Sequence, residues 1–112
     1  MDLEFEKQWK DTLTALSRSF GEELDLQAVL FLIGVQELGQ GAKKFSKDQK
    51  VDLMHIAICT LLEPYGYYTY AGRDGDGWPH FERNEKLPFL PAKEQELLMK
   101  NAIIQYFEQG DV

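Results

Sequence analysis

The stretch of this chain that most constrains its fold is Leu26-Gln27-Ala28-Val29-Leu30-Phe31-Leu32-Ile33-Gly34-Val35-Gln36-Glu37-Leu38. Asp25 ahead of it offers a side-chain cap for a helix start. Gly39-Gln40-Gly41 behind it ends the helix. The helix is apolar nearly all round, so it must sit centrally in a core or be covered by a second subunit. Its densest run, Ala28 to Val35, falls far short of the roughly 18–20 apolar residues that cross a bilayer.

Three more helices follow from periodicity. Phe5, Trp9, Leu13, Leu16 and Phe20 recur at spacings of three and four, which predicts a first helix over about Leu3 to Phe20. Gly21 is placed to close it. Ser46-Lys47-Asp48-Gln49 fits a capping box and opens the third helix. Pro64 disfavours helical geometry at Glu63 and ends it. The polar arc of this helix is narrow, holding Asp52, Thr60 and Glu63, so it too is expected to be largely buried. The fourth helix starts near Pro91, carries the stripe Leu98, Met99, Ala102, Ile103, Tyr106 and Phe107, and closes at Gly110.

Residues 65 to 85 read differently. Tyr67 to Ala71 and Trp78 to Glu82 are β-prone, and Arg73-Asp74-Gly75-Asp76-Gly77 between them is a turn. Alternation puts Tyr68 and Tyr70 on one face and Tyr67 on the other. The expected fold is therefore α+β and helix-dominated: a four-helix bundle with one β-hairpin, about 65–85, inserted between helices three and four. Residues 1–112 read as one domain, since a chain of this length supports one core.

Charge and cysteine usage narrow the function classes. Twelve Lys and Arg stand against 19 Asp and Glu, a formal charge of −7. That surplus repels phosphate backbones and argues against nucleic-acid binding. The N-terminal residues show no basic start followed by an apolar stretch, and the chain has one Cys, so the expected location is the cytoplasm with no membrane association.

Several runs taken together carry a likeness: Phe31 to Gly39, Leu53-Met54-His55-Ile56-Ala57, Pro64-Tyr65-Gly66-Tyr67-Tyr68 and Asp76-Gly77-Trp78-Pro79-His80. They resemble a set of short, uncharacterised bacterial proteins of about this length. The resemblance implies a bacterial cytosolic protein and transfers no activity or ligand.

Five residues are candidates for a ligand site: Glu37, Asp52, His55, Trp78 and His80. Asp52 and His55 stand i, i+3, the spacing by which helices present two ligands on one face. Glu37 and His80 are the groups that would complete a mononuclear metal site with His55. Against this stands a bland account of His55 as a core histidine, because its helical neighbours are Val51, Met54, Ile58 and Leu62. That account is preferred, so no metal and no cofactor are expected. A calcium loop from Asp74 through Asp76 to Glu85 fails because Trp78 and Pro79 occupy the fifth and sixth positions. Cys59 reads as a small buried hydrophobe, not a nucleophile. Lys43, Lys44, Lys47 and Lys50 bracket the start of helix three, and the first three are candidate anion ligands, with a solvated face as the simpler account.

No catalytic constellation is complete, so a binding role outweighs an enzymatic one. Two helices apolar on most sides and an aromatic hairpin are hard to cover in one small bundle. The leading expectation is accordingly a homodimer acting as a protein-interaction module, with the hairpin as a contact surface. The rival expectation is a metal-dependent or small-molecule-binding enzyme with a pocket near His55 and the hairpin.

Overall fold

A computed structural model describes residues 3–41, 43–84 and 90–109. The elements run α1 (Leu3–Phe20), α2 (Leu26–Leu38), α3 (Lys47–Leu62), a single 3-10 turn (Glu63–Tyr65), β1 (Tyr68–Arg73), β2 (Pro79–Arg83) and α4 (Ala92–Gln109). The chain is helix-dominated, with a two-stranded antiparallel hairpin between α3 and α4. Gly110, expected to close α4, and Glu85 lie outside the described residues.

Local chemistry fixes the helix ends where the sequence placed them. Asp25 Oδ1 accepts from Ala28 N at 2.8 Å, and Gly39 N donates to Val35 O at 3.2 Å. At α3 both halves of the capping box are made: Gln49 N donates to Ser46 Oγ at 3.2 Å, and Ser46 N donates to Gln49 Oε1 at 2.9 Å. Pro91 precedes α4 instead of beginning it, and its carbonyl accepts from Gln95 N at 2.9 Å.

The core divides into two clusters. In the first, Val29, Leu30 and Ile33 of α2 pack with Ala57 and Leu61 of α3 and with Ala102 and Ile103 of α4. In the second, Leu38, Phe45, Leu53 and Ile56 form a floor on which Trp78 and Phe81 of the hairpin region are seated. Phe45 is the centre of an edge-to-face chain, its ring centroid 6.1 Å from Phe31 and 6.4 Å from Trp78. The closest approach is between α2 and α3. A Cβ placed on Gly34 would fall 2.1 Å from the Leu53 carbonyl oxygen, so the two backbones touch where Gly34 has no side chain.

The narrow polar arc assigned to α3 is wider than its sequence implies. Val51, Asp52 and His55 are exposed, while Leu53, Ile56 and Ala57 are buried. Asp52 and His55 border an open cleft beside the hairpin, so they stay in contact with water although they face it.

Candidate functional site

A cleft of about 400 Å³ lies between the first half of α3 and the hairpin. From α3 come Gln49, Asp52, His55 and Ile56, which share a face by their three- and four-residue spacings. From the hairpin come Asp74, Asp76, Trp78, Pro79 and His80. Four of the five candidate ligand residues therefore meet here: Asp52, His55, Trp78 and His80.

Asp74 organises the hairpin wall. Its Oδ1 accepts from Asp76 N at 2.9 Å and from Trp78 N at 3.0 Å, which folds the turn. Its Oδ2 lies 2.8 Å from His80 Nε2. These bonds, the one from His80 first, hold the Asp74 carboxyl below its ordinary value. The carboxylate can only accept, so His80 Nε2 carries the proton and Nδ1 is the ring's remaining nitrogen. The Asp52 carboxylate has no hydrogen-bond or ion-pair partner among the described residues, and Asp76 engages only through its backbone. No Lys or Arg lines the cleft.

His55 corrects the core-histidine account. Its side chain is exposed, its Nε2 stands 3.5 Å from Cys59 Sγ, and its ring meets Tyr68 edge-on at 6.4 Å. Cys59 is buried, and burial pushes its thiol up to about 11. At neutral pH the sulfur is protonated, so the His–Cys proximity does not yield a nucleophile.

Glu37 is the candidate that does not join the others. Its Oε2 accepts from Tyr106 Oη at 2.8 Å, which ties α2 to α4. Burial first, and the Glu37 carboxylate second, raise the Tyr106 hydroxyl well above its usual value. A mononuclear site built from Glu37, His55 and His80 is therefore not assembled. Among the described residues, no three His, Cys, Asp or Glu side chains are grouped so as to hold a metal ion.

None of the lysines around the start of α3 lines the cleft. Lys43 Nζ bonds Gln40 Oε1 and sits 5.8 Å over the Phe45 ring. Lys44, Lys47 and Lys50 are exposed and form no ion pair among the described residues. The capping box already occupies the Gln49 amide that an anion would use.

Sequence reasoning missed three polar contributors to the cleft, Gln49, assigned only to the cap, and Asp74 and Asp76, weighed only as turn or calcium residues, besides the apolar Ile56 and Pro79. The signal was present in their density, two carboxylates within three residues beside Trp78 and His80. A smaller, mostly apolar pocket of about 220 Å³ lies elsewhere, between Pro64, Tyr65 and Tyr106.

The chain matches no protein-family model, no curated protein and no solved structure, and its resemblance to short bacterial proteins gains no support there. Among the described residues no helix is long and apolar enough to cross a membrane.

Proposed function

We propose that this protein binds a small organic cation, such as a primary amine, in the cleft between α3 and the hairpin. One observation carries the reading: Asp52, Asp74 and Asp76 line a single cleft with two imidazoles and an indole, no Lys or Arg lines it, and of the three carboxylates Asp74 alone is paired, with His80. The volume is within the range of small-molecule sites. Carboxylates accept charge-assisted hydrogen bonds from an ammonium group, and an indole face attracts a cation. The same carboxylates repel phosphate and carboxylate ligands.

Calorimetry with benzylamine, putrescine and inorganic phosphate tests this. Both amines bind and phosphate does not. Asp52→Asn and Asp76→Asn each weaken amine binding about tenfold, a loss of ~1.4 kcal/mol. These two are chosen because neither carboxylate builds the fold. Absence of amine binding, or tighter binding of phosphate, overturns the reading.

A second reading is self-association through the hairpin, as a homodimeric interaction module. It is favoured by a sheet of only two strands among the described residues, which leaves each strand one edge without a strand neighbour. Tyr70, 47% exposed, pairs its ring with Phe81 beside those edges. Light scattering coupled to size exclusion tests it: a dimer lost on Tyr70→Lys supports it, and a monomer at micromolar concentration ends it. The cytoplasm is the compartment we assign, because a lone cysteine suits a reducing environment. Fractionation of the source cell checks that assignment.

A further inference from the structure

We propose that Arg73 is the positioning residue of the cleft, latching the hairpin turn to the C-terminus of α2 so that Asp74, Asp76 and Trp78 stand opposite α3. Its purpose rests on the ligand-cleft reading, while its geometry stands apart from it.

The ladder runs Tyr68↔Arg83, Thr69↔Glu82 and Tyr70↔Phe81, then steps to Gly72↔His80 and Arg73↔Pro79. Ala71 is left without a partner, which is a β-bulge. Gly72 carries the positive φ of 101° that the bulge needs. In an unbroken ladder, residue 73 would fall on the side opposite Tyr68 and Tyr70. The extra residue returns Arg73 to the side of Phe81 and buried Pro79, which is the side that packs toward the helices.

From there the guanidinium reaches three carbonyls. One nitrogen donates to Leu38 O at 3.0 Å and to Gly77 O at 2.6 Å, and the other donates to Glu37 O at 2.8 Å. The two helix carbonyls belong to the last turn of α2, where intrahelical donors run out and the helix dipole is negative. A planar fork of donors bridges helix and turn at once, which a lysine ammonium cannot reproduce. Gln40 adds a second tie, its Nε2 donating to Asp76 O at 2.8 Å. The bonds span the residues that follow and precede the cleft carboxylates, so the latch sets where those carboxylates stand.

The test uses the full chain with Arg73→Met, Arg73→Lys and Gln40→Ala. Amide exchange in the free protein reads position, and benzylamine affinity reads the consequence. Arg73→Met should speed exchange of the Asp76 and Trp78 amides at least about tenfold, as expected for losing charge-assisted hydrogen bonds. The α2 and α3 amides should keep their protection and benzylamine affinity should fall. Arg73→Lys should lie between, and Gln40→Ala should show a weaker version if Arg73→Met does not fold. Unchanged turn amides overturn the proposal. Equal acceleration in α3 also overturns it, because Arg73 would then support general stability. Turn amides that respond in a protein that ignores benzylamine uphold the latch and count against the ligand reading.

Discussion

At Asp74 one carboxylate oxygen holds two turn amides and the other holds His80, so a single exposed residue shapes the wall of the cleft. The sign of its pH effect follows from the direction of its shift. Its folded value is below the ordinary one, so its stabilising contribution is present above about pH 3.9 and is lost as pH falls through the lowered folded value. Asp74→Asn should lower the melting temperature at pH 6, and its gap to the parent protein should narrow as pH falls below about 3.9. Solvent screening keeps that gap small. A gap independent of pH in a calorimetric series would refute this role. At this scale the sequence was partly legible. Asp25 and Ser46 were readable as caps because capping needs only local spacing. Glu37 was not, because its partner Tyr106 lies 69 positions away, and which neighbour it faces depends on how α4 packs.

Among the elements, α2 and α3 carry the close contact of the fold. Ala is normally better than Gly in a helix by up to about 1 kcal/mol. At Gly34 the sign should reverse, since the added Cβ meets the Leu53 carbonyl at 2.1 Å. Gly34→Ala should destabilise by about 1–3 kcal/mol, the usual cost of overpacking, as read by urea unfolding. A stabilised variant would mean that the helices do not touch there. Periodicity revealed that α2 is apolar all round, but not that its glycine is the contact point. The hairpin shows the same division. Alternation assigned Tyr68 and Tyr70 to one face correctly, whereas the bulge at Ala71 reverses alternation for Arg73. A residue inserted in a ladder leaves no trace in hydrophobic pattern, so Arg73 read as part of a turn.

On the scale of the whole molecule, the expected surplus of uncovered apolar surface is smaller than the sequence suggested. Phe31, Leu32 and Val35 of α2 are half-buried against α1, α3 and the second core cluster, and Val51, at 60% exposure, is the large open apolar residue of α3. The order of helices and hairpin was readable because each element carries its own periodicity and punctuation. A pocket near His55 and the hairpin was named from the sequence, but its full wall was not legible, because Asp52 and His55 meet Trp78 and His80 only through the docking of the hairpin on Leu38, Phe45, Leu53 and Ile56. That convergence is the ligand site we propose. Its most direct measurement is a titration of isotopically labelled protein with benzylamine, followed through amide chemical shifts. Saturable shifts confined to Gln49, Asp52, His55 and residues 74–80 are the predicted result. Shifts centred on Tyr65 and Tyr106, or none at millimolar amine, would contradict it.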